Sequence, residues 1–155
     1  MKCNALITAM WLFWGLVFTG FAQDTGVSFR PAVFWGDNSD KGVLVVSPNE
    51  MVLIDSKGKK HGSVAAKGAV SGAYISPDGK KLAYTTASGV WLAILETGET
   101  RLVSSGYCDY LRWNNDGLGF LFTIYEKNDS GSSDAYGVKF FMADGDGKNM
   151  KQVYP

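Results

Sequence analysis

The sequence has little of what most enzymes need. Its 155 residues include one histidine, His61, and two cysteines. It contains no Gly-x-Ser-x-Gly elbow, no His-Glu-x-x-His pair, no phosphate-binding glycine loop and no paired metal-binding cysteines. These absences predict a protein that is not an enzyme and that uses no cofactor and no metal.

An excess of charge of one sign is also missing. Fifteen Lys and Arg residues balance fifteen Asp and Glu residues, for a formal net charge of +0. Nucleic-acid-binding domains normally have a basic surplus, because phosphate contacts supply most of their affinity. We therefore expect no nucleic-acid partner.

Apolar residues and glycine are abundant. Hydrophobic residues make up 46% and aromatic residues 14% of the chain, which is enough for a packed core. The 19 glycines, many beside Asp, Asn or Ser, indicate a fold with many tight turns.

The first 22 residues form a separate segment. Lys2 gives it a positive start, an apolar run follows, and the small residues Gly20 and Ala22 suit a signal peptidase. This pattern predicts a signal peptide over 1–22, a repeat domain over 23–155, a periplasmic or secreted protein and no stable membrane insertion after cleavage. An uncleaved anchor is the alternative, because the apolar run is nearly long enough to span a bilayer. Loss of Cys3 with the signal would leave Cys108 unpaired, and we expect it to be a small buried residue.

The rest of the chain repeats itself. Residues 72–85 match 110–123, so that the Asp78-Gly79 pair recurs 38 residues later as Asp116-Gly117. Residues 89–94 match 137–142, and a third, more divergent copy begins near residue 32. An Asp-Gly pair between two short strands predicts a hairpin, because both residues tolerate positive φ.

Each repeat predicts four antiparallel strands, which is the content of one propeller blade. The predicted fold is therefore all-β: a partial β-propeller of about three four-stranded blades, approximately 32–64, 72–103 and 110–153. Closed propellers have roughly four to eight blades. Truncation of a longer relative, self-association that completes the ring, and a small sandwich are three ways to account for this shortfall.

The run Ile75-Ser76-Pro77-Asp78-Gly79-Lys80-Lys81-Leu82-Ala83-Tyr84 resembles the signature of the TolB-type (WD-like) β-propeller repeat family, and 141–153 is similar to the end of that repeat. The family's repeat occurs in periplasmic translocation factors, in the propellers of prolyl-oligopeptidase-like peptidases and in exported binding proteins. The leading functional hypothesis is an exported, non-catalytic binding or scaffold protein with a protein or glycan partner. The alternative is a propeller fragment that is accessory to such a peptidase, with the catalytic domain absent. A third hypothesis is a structural remnant without activity.

The candidate binding site lies where an insertion at 126–135 meets the blade-to-blade link 104–109. In a propeller these two connections share one face, which commonly holds partners. The candidate binding residues there are Tyr107, Asp109, Arg112 and Asp134.

Several other residues have structural interpretations. We expect Trp35, Trp91 and Trp113 to fill the core, and His61 to be a solvated residue in a basic turn. The acidic run 144–149 lacks the spacing of a calcium-binding loop and is interpreted as a strand-to-strand turn.

Overall fold

The computed structural model describes residues 29, 31–36, 39–127 and 136–154. The predicted signal peptide and Asp134 lie outside these residues. Every regular element in the described part of the chain is a β-strand, and this part holds no helix long and apolar enough to cross a membrane. The strands are β1 Ala32–Trp35, β2 Lys41–Ser47, β3 Glu50–Asp55, β4 Lys60–Ala65, β5 Val70–Ile75, β6 Lys81–Thr86, β7 Gly89–Ile94, β8 Thr100–Ser105, β9 Leu111–Trp113, β10 Gly119–Lys127, β11 Tyr136–Asp144 and β12 Lys151–Tyr154.

The strands form three antiparallel sheets, each made of four strands that are consecutive in sequence. Blade 1 contains β1–β4, blade 2 contains β5–β8 and blade 3 contains β9–β12. The predicted all-β fold of about three four-stranded blades, a partial β-propeller, is confirmed. The sheets span 32–65, 70–105 and 111–154.

An equivalent hydrogen bond links the end of the first strand to the start of the second in every blade. The N–H groups of Gly36, Ser76 and Asn114 donate to the carbonyl oxygens of Lys41, Lys81 and Gly119, respectively. These three bonds make residues 35, 75 and 113 structurally equivalent.

The Asp-Gly turns of blades 2 and 3 have positive φ at the glycine alone. Gly79 and Gly117 have φ values of 68° and 69°, but no described residue other than glycine has positive φ. Pro77 fixes its own φ near −65°, which suits the first position of a type I turn and leaves only the final glycine in the left-handed region. Asp78 instead accepts hydrogen bonds from the Ser76 hydroxyl and the Lys80 N–H. The two predicted Asp-Gly hairpins are present, with positive φ at the glycine of each.

The run 144–149 is a turn between the last two strands of blade 3. Gly147 has a φ of 66°, and the Asp144 carboxylate accepts the N–H groups of Asp146, Lys148 and Asn149. These bonds, that from Lys148 above all, hold the pKa of Asp144 below its usual value. The Asp144 carboxylate therefore has a structural role in closing the turn.

Two hydrophobic clusters hold the blades together. The first lies between blades 1 and 2 and the second between blades 2 and 3. Cys108 is buried in the second cluster, as expected, and its burial raises the pKa of its thiol. The largest buried side chains of the first cluster are Val43, Val45, Met51, Leu82 and Tyr84, and those of the second are Leu92, Phe120 and Phe122.

The three tryptophans do not share one environment. Trp113 is buried, and its indole N–H donates to the Tyr74 carbonyl oxygen of blade 2 at 2.8 Å. Trp91 is half-buried beside Tyr84. Trp35 is 52% exposed, so the prediction that it fills the core was wrong. It lies on the face of blade 1 that points away from blade 2, where no blade precedes it among the described residues.

Pairing also corrects the alignment of the third strands. Leu82 pairs with Ala93, and the equivalent Phe120 pairs with Ala143, whereas the sequence match placed Ala93 opposite Phe141. The error arises because the β10–β11 hairpin continues as a ladder to Lys127 and Tyr136. A shift of two residues keeps every side chain on its predicted face, because strands alternate with a period of two.

Candidate functional site

The first strands of the three blades lie side by side and form a groove. β5 packs between β1 and β9. These strands enclose a cavity of about 470 Å³ lined by 33–36, 73–75, Pro77 and 110–113. Cavities of this size at the centre of a scaffold are common ligand sites. We call this feature the inner groove.

Aromatic side chains dominate the inner groove. The rings of Phe34 and Tyr74 lie 6.5 Å apart, and Trp113 anchors itself to the backbone of Tyr74. Burial raises the pKa of Tyr74, which keeps its hydroxyl protonated. Tyr110 is exposed at the rim. Exposed aromatic faces bind apolar, aromatic or sugar groups through large contact areas at low entropic cost.

Arg112 is the one charged residue among the described residues that line the inner groove. Its side chain is exposed on β9, between the groove and a shallower hollow beside Asn114, Asn115 and Leu121. Guanidinium groups bind carboxylates in a two-point geometry. The described groove can therefore bind and orient a ligand, and its lining contains no paired acid and base for catalysis.

Tyr107 and Asp109 lie in a second cluster with Thr123 and Tyr125. The Asp109 carboxylate accepts hydrogen bonds from the Tyr125 hydroxyl at 2.6 Å and the Thr123 hydroxyl at 2.9 Å. The Tyr125 N–H donates to the Tyr107 carbonyl oxygen, and the two tyrosine rings lie 5.4 Å apart. We call these four residues the link cluster, because they fasten the β8–β9 link to the β10–β11 hairpin.

Hydrogen bonding sets the electrostatics of the link cluster. The bond from Tyr125, with that from Thr123, holds the pKa of Asp109 below its usual value. The same bond raises the pKa of Tyr125, because ionising the phenol would remove the donor. Asp109 is therefore charged at neutral pH and engaged on both oxygens, which suits a fastening role.

The structure divides the sequence-predicted candidates. Tyr107 and Asp109 lie together in the link cluster, Arg112 lies at the inner groove and Asp134 lies outside the described residues. Sequence reasoning missed Tyr125 and Thr123, although alternate residues of β10 share one face and Thr123-x-Tyr125 follows that period. It also missed Tyr74 and Tyr110, which only the side-by-side packing of the inner strands brings together.

His61 has a partner that the sequence did not reveal. It lies in β4 rather than in a turn, and its Nε2 is 2.9 Å from a carboxylate oxygen of Asp55. This contact lowers the pKa of Asp55, which also accepts the N–H groups of Lys57 and Lys59. Asp55 thus closes the last turn of blade 1 as Asp144 closes that of blade 3. The pair has a structural role, and the described residues gather no cluster of three or more metal ligands.

Comparison with solved structures identifies similar folds. The chain is similar to the tricorn protease (TM-score 0.64, 14% identity, 81% of this chain and 13% of that chain). It is similar to a chain of a nidogen/laminin complex (TM-score 0.55, 11% identity, 77% and 45%). It is also similar to the β-propeller domain of the Trilobed protease from Pyrococcus furiosus, described as having an open velcro topology (TM-score 0.52, 20% identity, 78% and 37%).

These likenesses support the propeller fold and nothing finer, because sequence identity is low. The chain spans less than half the length of each of these structures. No protein-family model matches the sequence, and no curated protein matches it either.

Proposed function

We propose that this chain is an exported, non-catalytic binding module that engages a partner through its inner groove. The observation that carries the proposal is the cavity of about 470 Å³, with the aromatic rings of Tyr74 and Tyr110 and the guanidinium of Arg112 on its walls. Such a lining supports recognition of a segment that combines an aromatic or apolar group with a carboxylate. The repeat is proposed to be of the TolB type, on the strength of 75–84.

Of the two partner classes, protein and glycan, we favour a protein. A groove open along three adjacent first strands suits an extended chain segment, and one structural neighbour is part of a complex between nidogen and laminin. A glycan remains the competing partner, because sugar rings also stack on exposed tyrosines.

Site-specific photocrosslinking tests the binding role. A photoreactive phenylalanine analogue at Tyr110 is expected to capture a partner when the chain is exported by its own host, whereas the same analogue at Leu118 is not. Leu118 is a matched control because it is 74% exposed in a turn outside the groove. The purified partner should then bind wild type at least about tenfold more tightly than Arg112→Ala, since the guanidinium supplies a charged contact.

Three results would count against this proposal. They are equal capture at both positions, a captured protein that shows no direct binding to the purified chain, and binding that Arg112→Ala leaves unchanged. Saturable binding of purified glycans that Tyr110→Ala abolishes would replace the protein by the glycan.

Export is part of the proposal and has its own test. Mass measurement of the chain recovered outside the cytoplasm should match a protein that begins at Gln23. Recovery of the full-length mass in the membrane fraction would favour the uncleaved anchor.

A second function is a propeller accessory to a prolyl-oligopeptidase-like peptidase. It is favoured by the neighbours that are proteases, the tricorn protease and the Trilobed protease. A serine hydrolase that co-purifies with the chain and reacts with a fluorophosphonate probe would support this function over the binding module.

A further inference from the structure

The outer blades each have one uncovered face. We define the leading face of a blade as the side that packs on the preceding blade, and the trailing face as the opposite side. Blade 2 is covered on both, by blade 1 and by blade 3. The leading face of blade 1 and the trailing face of blade 3 meet no other blade among the described residues.

The leading face of blade 1 has the composition of a buried surface. The equivalent hydrogen bond after each first strand makes Trp35 equivalent to Ile75 and Trp113, yet Trp35 is 52% exposed and the other two are 4% and 8% exposed. Cross-strand pairing places Val33 and Leu44 beside Trp35 on this face. Val52 and Ile54 of the third strand lie on the same face, which Ser63 and Lys60 continue at the outer strand. The five named residues of the first three strands are all apolar, although isolated sheets normally place polar residues on a solvated face.

The trailing face of blade 3 also carries an exposed apolar side chain whose equivalent in blade 2 is buried. Leu92 in blade 2 pairs with Ala83, and Met142 in blade 3 pairs with Leu121 at the equivalent place. Leu92 is fully buried against blade 3, whereas Met142 is 41% exposed. Phe140 follows on the same face, where its ring contacts that of Tyr154 at 6.0 Å.

A hydrogen bond shows how such faces fit together. Trp113 on the leading face of blade 3 donates its indole N–H to the carbonyl oxygen of Tyr74 on the first strand of blade 2. Trp35 is the equivalent of Trp113, and Arg112 is the equivalent of Tyr74, because Tyr74 pairs with Ala83 as Arg112 pairs with Leu121. Trp35 on the leading face of blade 1 is therefore equivalent to the donor of this hydrogen bond. The Arg112 carbonyl oxygen on the trailing face of blade 3 is equivalent to its acceptor.

We propose that the leading face of blade 1 binds the trailing face of blade 3 of a second copy, and that two copies close into one six-bladed ring. The occupant is a second copy because the two faces are the two halves of an interface that this chain already forms twice. Trp35 would donate to the carbonyl oxygen of Arg112 in the second copy. Six blades lie within the range of closed propellers, roughly four to eight. Two identical contacts then cover both faces of both copies, as a closed head-to-tail ring requires.

This association goes beyond the proposed binding role and changes the site. The inner groove of one copy would form half of a central channel whose other half comes from the second copy. A partner would meet the aromatic walls of both.

The test is the mass of the chain in solution, by native mass spectrometry and by light scattering over a dilution series. Wild type is expected to have the mass of two chains. Trp35→Asp breaks the leading face and Met142→Asp breaks the trailing face, and each variant alone should have the mass of one chain. Leu118→Asp, in an exposed turn on neither face, should keep the mass of two.

Mixing the two variants makes the test specific for a head-to-tail contact. In the mixture the intact trailing face of the Trp35→Asp chain meets the intact leading face of the Met142→Asp chain. The mass of two chains should therefore return, as one copy of each. Near-ultraviolet circular dichroism checks that each variant is folded, and Val33→Asp replaces Trp35→Asp if the latter is not.

Three outcomes would overturn the proposal. The first is a wild-type mass of one chain at every concentration. The second is a double mass that persists when only the trailing face is broken, which would indicate a contact between two leading faces. The third is a mixture of folded variants that stays at the mass of one chain. Failure of partner capture at Tyr110 would leave these masses unaffected, so the two proposals fail separately.

Discussion

Blade 1 and blade 2 close the turn after their first strands with an equivalent hydrogen bond, but the residues at the ends of these strands have opposite environments. Ile75 in blade 2 is buried against blade 1, whereas its equivalent in blade 1, Trp35, is half exposed. The closing hydrogen bond is shared, and Ile75 has a neighbouring blade on its side whereas Trp35 has none among the described residues. In an array of this kind a residue is buried by the adjacent copy and not by its own sheet.

The two interfaces differ in composition in a related way. The cluster between blades 1 and 2 is mainly aliphatic, with Met51, Leu53 and Leu82. The cluster between blades 2 and 3 contains the aromatic residues Trp113, Phe120 and Phe122, and the tilted rings of Trp113 and Phe120 lie 4.9 Å apart. The same arrangement of packed blades thus tolerates different side chains, as long as the side chains fill the interface and lie on the correct face of the sheet.

The largest expected effect is a difference in the stability cost of replacing two equivalent tryptophans. Trp113→Ala should lower the free energy of unfolding by about 3–5 kcal/mol, because it empties a buried site and removes the bond to Tyr74. Trp35→Ala should cost roughly 1 kcal/mol, because half of its ring already contacts water. Urea unfolding at high dilution, where association does not contribute, measures both. Equal costs would contradict the different burial of the two rings.

The hairpin glycines should give a smaller effect that is the same in both blades. Gly79→Ala and Gly117→Ala force an L-residue into the left-handed region, at about 1–2 kcal/mol each. Gly62→Ala is the control, because its added Cβ meets only Leu53 at 3.8 Å and its φ is not positive. A large difference between blades 2 and 3 would show that the turns, too, depend on neighbouring blades.

The link cluster should give a pH-dependent effect. The folded pKa of Asp109 is lowered by its bonds to Tyr125 and Thr123, so its contribution is present above the unfolded pKa of about 3.9. That contribution is lost as the pH falls through the lowered folded value. Asp109→Asn should therefore destabilise the protein most at pH near 6 and progressively less as the pH falls below the unfolded pKa, as urea titrations over this pH range can measure. A cost that stays constant with pH would contradict a charged Asp109.

The smallest expected effect comes from shortening the β10–β11 hairpin. Lys127 and Tyr136 are cross-strand partners, so an Asn-Gly turn can replace 128–135 without changing the ladder. The free energy of unfolding, measured by thermal denaturation, should change by less than about 0.5 kcal/mol, which is usual for a surface substitution. Loss of the folded state would mean that this segment belongs to the core.

Much of the fold could be predicted because the repeat is carried by residues with strict backbone roles. The spacing of Asp78-Gly79 and Asp116-Gly117 located two hairpins, and strand alternation located the faces. The turn type was not predictable from the Asp-Gly pair, because Pro77 imposes a type I turn. The environment of Trp35 was not predictable either. The apolar character of a sheet face indicates that burial of the face is favourable, but it does not indicate whether another blade packs on it.

The site was predictable only in part. Tyr107 and Asp109 belong to one link, so the sequence could place them together, but their partners Thr123 and Tyr125 arrive through a ladder longer than the repeat suggested. The inner groove depends on three strands that are about 40 residues apart in sequence and meet only by blade packing. No local sequence pattern indicates that these three strands are in contact.

Hydrogen exchange followed by mass spectrometry at high dilution tests most directly the claim that position in the array decides burial. Backbone amides in β6 and β7, which have a blade on both sides, should exchange most slowly. Those of β2 and β10, which are the second strands of the end blades and have one uncovered face, should exchange faster. Equal protection of β2, β6 and β10 in the single chain, or slowest exchange in β2, would contradict the account.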